Sequence, residues 1–206
     1  MAHLRWRDMS TLYVNNIAPK TGNTINITGA FNGGGGSNVK EVLAMACDGG
    51  SYTVSSGTYT SQNVTAGYDV TSTYVDVTGS TINYVPPSGS TCVIYDFNFQ
   101  FGHIDAHGIG NFEFFIDGVQ PTYLRRSISA GNYLEGSFNL RHVIPIGGTT
   151  STDTGRQSSW TSAKELKLKA RAYGTGNRIK IHLTNYWEGA NQHLFCQPNL
   201  IITALG

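Results

Sequence analysis

Residues 92–101 read CVIYDFNFQF, and this decapeptide constrains the fold more than any other stretch of the chain. Val93, Tyr95, Phe97, Phe99 and Phe101 occupy every second position, interleaved with Cys92, Ile94, Asp96, Asn98 and Gln100. A period of two is strand periodicity, because successive side chains project to opposite faces. Wound as a helix, the same residues would scatter round the whole circumference. A strand carrying one unbroken row of large side chains needs a second layer to cover it. Other segments repeat the pattern. In residues 164–172, Leu166, Leu168, Ala170 and Ala172 alternate with Lys167, Lys169 and Arg171, the signature of an antiparallel sheet buried on one face. Further strands are expected at 52–54, 58–60, 68–77, 81–85, 112–119, 131–143, 178–187 and 197–205, separated by turn residues such as Pro86-Pro87-Ser88-Gly89 and Asp117-Gly118. The expected fold is an all-β antiparallel sandwich, with the jelly roll as the favoured arrangement, a short N-terminal β-hairpin arm and at most one short helix.

The arm is read from residues 11–28. Leu12 and Val14 alternate with Tyr13, a turn follows at Pro19-Lys20-Thr21-Gly22, and Ile25 and Ile27 share a face beyond it; Ile17 precedes the turn. A lone hairpin is marginal in water, so this one must lean on another surface. Four consecutive glycines, Gly33 to Gly36, make a flexible joint. They are no phosphate loop, since no Gly-Lys-Ser/Thr follows. Residues 39–47 (VKEVLAMAC) are predicted as the short helix, with Val39, Val42, Leu43 and Ala46 on one face and Asp48-Gly49-Gly50 ending it. The expected organisation is an arm at 1–32, a hinge with helix at 33–50 and a sandwich head at 51–206.

Charge narrows the function classes. Only 13% of the 206 residues are charged, and 14 Lys and Arg stand against 13 Asp and Glu. A nucleic-acid binder or a polybasic membrane-surface protein would show a basic excess. No apolar run approaches 18 residues, so no membrane insertion is expected. The opening MAHLRWRD has no apolar run behind it, which argues against a secretory signal and for synthesis in a reducing cytoplasm. Cys47, Cys92 and Cys196 match no zinc spacing and are expected as free thiols.

Several residues bear chemistry. His103, Asp105 and His107 (HIDAH) would share one face if the strand ran on past Phe101, and two imidazoles with a carboxylate suit a zinc-like ion. The preferred reading is a bend between Gly102 and Gly108, with no metal. Asp96, Glu113, Asp117, Glu135 and Glu188 offer carboxylates, but no spacing pairs two of them as a glycosidase requires. No Gly-x-Ser-x-Gly context supports a serine triad, and no catalytic residue or cofactor is expected. Trp160, Tyr173, Tyr186 and Trp187 lie near loops or strand ends, where rings can stack on sugars. Of these, Trp160, Tyr186 and Trp187 are the receptor-contact candidates, with a place in the core or a subunit interface as the other reading. The polar stretch 147–155 is expected to be a flexible loop, either a binding loop or a plain connector.

Six stretches resemble one group of proteins: STLYVNNIAPKTGNTINITG, TSTYVDVTGSTINYVPPSGSTCVIYDFNFQF, GNYLEGSFNLRHVIPIGG, SWTSAKELKLKARAYG, HLTNYWEG and FCQPNLIITALG. Together they are similar to virion structural proteins of tailed phages, of the tail-fibre and appendage kind found in phages of marine bacteria. The leader MAHLRWRD lies outside the resemblance. The resemblance implies a non-enzymatic virion protein with a jelly-roll head, commonly a homotrimer, for host-surface contact or structural adaptation. Capsid decoration, a head fibre or a virion-bound polysaccharide hydrolase are its alternatives. It also implies that Leu12, Tyr13, Val14, Ile17, Ile25 and Ile27 dock the arm onto other virion proteins of tail or capsid. A host-surface glycan would be the outward partner.

Overall fold

The computed structural model describes residues 38–103, 107–131, 135–184 and 194–206. The chain divides into two units, Met1–Gly36 and Ser37–Gly206, and all the described residues belong to the second. Their strands, in chain order, are β1 (Val39–Ala46), β2 (Ser51–Val54), β3 (Gly57–Thr60), β4 (Tyr68–Val70), β5 (Val75–Asp76), β6 (Ile82–Tyr84), β7 (Cys92–His103), β8 (Gly108–Ile116), β9 (Arg125–Ala130), β10 (Gly136–Pro145), β11 (Lys164–Ala172), β12 (Ile179–Ile181), β13 (Leu183–Thr184), β14 (Leu194–Phe195) and β15 (Asn199–Leu205). No helix occurs among the described residues.

Two sheets carry the fold. In the first, β1 pairs β15, β15 pairs β7, and β10 lies on the other side of β7. β15 stops at Asn98 of β7, and β12 takes over beside Phe101, Gly102 and His103, with β4 beyond it. In the second sheet β5 and β6 share one edge of β11, followed by β8 and β9. Count β5 and β6 as one interrupted strand and omit the short insertions, and eight strands remain. The first pairs the eighth, the second the seventh, the third the sixth and the fourth the fifth. That is one long antiparallel hairpin rolled up, which makes the sandwich a jelly roll. Every pairing between these strands is antiparallel, and an isolated bridge between Ile146 and Gln157 is parallel.

The expected row on β7 points inward: Val93, Tyr95 and Phe97 have no exposed surface, and Phe99 and Phe101 almost none. Opposite it stand Phe112 and Phe114 of β8, with Leu166 and Leu168 of β11. Tyr95 meets Phe114 across the sandwich at 4.8 Å between ring centres, and Phe99 meets Phe112 at 5.5 Å, both tilted. Such tilted pairs add to the roughly 1.5–3 kcal/mol that each buried ring contributes. The Asp117-Gly118 turn is also as expected. Both residues have positive φ (48° and 76°), and Ile116 and Val119 exchange backbone hydrogen bonds of 2.9 and 3.0 Å across it. Only a two-residue turn of the left-handed kind closes a hairpin so tightly.

Three expectations are corrected. Residues 39–47 are strand β1, not a helix. They therefore belong to the sandwich rather than to a hinge. Leu43, Met45 and Cys47 are buried and alternate with exposed Val42, Ala44 and Ala46. Both faces of β1 are apolar, so the period of two was hidden, and pairing to β15 decides the conformation. The single strand expected at 68–77 is two, because β4 joins the first sheet and β5 the second, the chain crossing between layers. β9 was missed altogether: RRSISA places one large apolar side chain, Ile128, among charged and small ones.

One polar cluster inside this framework is unusual. Glu41 of β1 is 6% exposed, on the inner side of its strand. Its carboxylate accepts from the Ser55 hydroxyl (2.6 Å), the Ser56 hydroxyl and amide (2.6 and 2.8 Å) and the Tyr84 hydroxyl (2.8 Å). The turn between β2 and β3 is thereby fastened to the sandwich. Burial alone would raise the Glu41 pKa, but the four donors outweigh it and hold the group below the usual carboxylate range, while burial and the neighbouring carboxylate push Tyr84 up. Glu41→Gln should cost about 2–4 kcal/mol of stability at neutral pH, because charge-assisted bonds are lost inside. A carboxyl with a depressed folded pKa stabilises fully above its unfolded value and loses that contribution as the pH falls through the folded one. Thermal unfolding of wild type and Glu41→Gln should therefore differ most above about pH 5 and converge below about pH 4. A difference that is constant with pH would contradict the assignment.

Candidate functional site

One concavity lies between two loops at one end of the sandwich. The turn after β6, from Pro86 to Ser90, forms one wall, and residues 158–161 form the other, enclosing a cleft of about 370 Å³. The first wall is stiff: two prolines restrict the backbone, and the Ser90 amide and hydroxyl both donate to the Pro87 carbonyl, at 3.2 and 2.7 Å. The second wall is held by Trp160. Its indole N–H donates 3.0 Å to the Tyr84 carbonyl, and its ring meets Tyr84 edge-on at 6.4 Å. Ser88, Ser90, Ser158, Ser159 and Thr161 line the cleft together with Pro86, Pro87 and Ile146. Its lining is uncharged and mixes hydroxyl-bearing residues with apolar ones.

Trp160 thus falls in this cleft, but only 5% of it is exposed. It shapes the wall and presents no free face for stacking. Tyr173 is 71% exposed, and Tyr123, which sequence reasoning passed over, is 64% exposed. Tyr186, Trp187 and Glu188 lie outside the described residues, as do the arm positions Leu12, Tyr13, Val14, Ile17, Ile25 and Ile27.

Of the HIDAH stretch, His103 is the last residue of β7 and His107 precedes β8, which belongs to the other sheet. Asp105 lies outside the described residues, and His107 is exposed, its carbonyl accepting from Asn177 at 3.2 Å. Among the described residues, no group of three or more His, Cys, Asp or Glu gathers as a metal site would need. The carboxylates disperse. Asp96 pairs with Arg141 on the outer face of the first sheet, Glu113 with Arg125 (3.5 Å) on that of the second, and Asp117 with Lys164 (3.0 Å) at a turn. Glu135 accepts from Thr184 at 2.9 Å. The three cysteines are free thiols, and burial pushes Cys47 up to about 12.

The loop expected to be flexible is tied at several points. Within it, Gly155 N–H donates to the Ser151 carbonyl (3.0 Å) and Ser151 N–H to the Arg156 carbonyl (3.1 Å). The amides of Thr122 and Tyr123 reach the Thr152 and Asp153 carbonyls at 3.1 and 2.9 Å. Serine and threonine oxygens bonding nearby amides are the signal a closer reading would have used.

Two histidines inside the sandwich escaped sequence reasoning. His142 of β10 is 2% exposed and stacks on Phe114 at 4.6 Å, with no hydrogen-bond partner at Nδ1. His182, between β12 and β13, is fully buried with φ of 64°, its Nε2 donating 3.0 Å to the Thr78 carbonyl. Burial, helped at His142 by Arg126, lowers both pKa values to about 4. Both rings therefore fold neutral, while the unfolded chain takes up protons near its ordinary value of 6.5. Their contribution is complete above that value and is lost as the pH falls toward about 4. The slope should reach about 1.4 kcal/mol per pH unit for each ring. His142→Phe removes the unpaired nitrogen and should raise the unfolding temperature at pH 5. Titration of either ring near pH 6.5 by NMR would contradict this.

No family model matches the chain, and no curated protein matches it. Among solved structures, those of the Gx and Gt strains of infectious bursal disease virus are similar over 80% of this chain, each at 13% identity and a TM-score of 0.34. This chain spans 36% and 37% of the chains it matches there. Likeness at that level carries no argument about role.

Proposed function

We propose that this chain is a non-enzymatic structural protein of a tailed-phage virion, a fibre or appendage component with a homotrimeric jelly-roll head. The observation that carries the reading is where the phage-like stretches fall. TSTYVDVTGSTINYVPPSGSTCVIYDFNFQF spans β5, β6 and β7, GNYLEGSFNLRHVIPIGG spans β10, SWTSAKELKLKARAYG spans β11 and FCQPNLIITALG ends in β15. The resemblance therefore runs through the strands of the roll itself, and a roll of this kind is a common building block of viral shells and appendages.

In this reading the N-terminal segment, through Leu12, Tyr13, Val14, Ile17, Ile25 and Ile27, attaches the head to other proteins of the tail or capsid. The head faces the host. Its contact is a neutral surface glycan, for which the hydroxyl-lined cleft beside Trp160 is a chemically suitable seat, with Tyr186 and Trp187 as further rings. Neutral sugars are held by hydroxyl donors and acceptors over an apolar floor, and the cleft offers both.

Deleting residues 1–36 should leave the β-rich circular dichroism of the head intact and abolish incorporation into particles. Particles that still contain the shortened chain would contradict the docking role. Ser159→Trp, at an exposed position on the cleft wall, should fill the cleft without unfolding the protein and reduce adsorption to host cells at least tenfold. Undiminished adsorption would remove the cleft from the account.

A further inference from the structure

The chain is poor in charge, and on one outer face its charges are gathered into a network. On the outer face of the β5/β6–β11–β8–β9 sheet stand Glu165, Lys167, Lys169, Glu113, Arg125 and Asp76, interlinked by salt bridges. In the β1–β15–β7–β10 part of the other sheet, Asp96 of β7 pairs with Arg141 of β10. Apart from that pair, the aligned rows Val42–Thr203–Ile94–Val143 and Ala44–Ile201–Asp96–Arg141 of this outer face are uncharged, and exposed Lys40 of β1 stands at its edge. Val42 and Val143 are 51% and 52% exposed there.

Covering the first of these faces would strip water from many ions at once, at a cost their mutual attraction seldom recovers. Covering the two central rows of the second strips water from one pair, whose charges cancel within the same chain, while the long Lys40 side chain at the edge can keep its ammonium in water. A face neutral in this way can meet its own image without setting like charges together, which is the condition for contact between identical copies. Its size is adequate: four strands at about 4.8 Å spacing and eight residues at about 3.3 Å give roughly 500 Å² per copy. Two such faces total roughly 1,000 Å², the threshold for a specific contact.

We infer that the outer face of β1–β15–β7–β10 is the surface through which copies of this chain associate, while the charged sheet faces water. The inference rests on the homo-oligomeric reading proposed above and names the surface responsible. It also accounts for the hidden periodicity of β1: a strand buried from both sides in the assembly carries apolar residues on both.

The test is the molar mass of the full chain in solution by light scattering, for wild type, for the double variant Val42→Glu with Val143→Glu, and for Ser127→Glu on the opposite, charged sheet. Wild type should be a multiple of 22.3 kDa, the double variant should fall to 22.3 kDa with unchanged circular dichroism, and Ser127→Glu should remain assembled. A double variant that stays assembled, or a Ser127→Glu chain that dissociates equally, overturns the assignment of the face while the oligomer stands. A monomeric wild type overturns the oligomer itself and this inference with it.

Discussion

The structure depends on β7 being paired along both edges and covered on one face by aromatic rings. β15 and β12 satisfy one edge, β10 the other, and the inward row from Val93 to Phe101 meets the second sheet. With the strand central in its sheet, a slip of one residue against either neighbour would turn Tyr95, Phe97 and Phe99 outward and Asp96 inward. The Tyr95–Phe114 and Phe99–Phe112 contacts therefore fix the register of one sheet against the other. The remaining strands follow as the return path of a long hairpin rolled around that pairing.

The elements legible in the sequence are those whose two faces differ chemically. β11 alternates alkyl and cationic side chains, and β7 alternates large and small polar ones, so both stood out. β1 did not stand out, because Val42 and Ala44 make its outer face nearly as apolar as the inner one; β15, equally apolar outside at Ile201, was still legible as a strand. In β1 the only acidic residue, Glu41, even points inward to its four donors. The signal failed there because the usual link between polarity and exposure is inverted. Among site residues, Trp160 takes the buried place that was its other reading, since an indole N–H near a strand end also finds backbone partners. His142 and His182 were invisible because nothing local marks a histidine that will be buried neutral.

These departures share a cause with the proposed role. A protein that meets copies of itself must carry, on its monomeric surface, residues that look like core. The proposed contact would explain the apolar rows of the β1–β15–β7–β10 outer face and the scarcity of ions over the whole chain together. The cleft beside Trp160 lies at an end of the sandwich, where loops carry binding while the sheets supply a rigid frame.

The most direct measurement is electron cryomicroscopy of intact phage particles at a resolution that traces strands. The account predicts jelly rolls of this chain on the particle in symmetric groups, with β1, β15, β7 and β10 turned toward neighbouring copies and the β11 lysines toward solvent. Particles without the chain, or groups in which the charged sheet makes the contact, would contradict it.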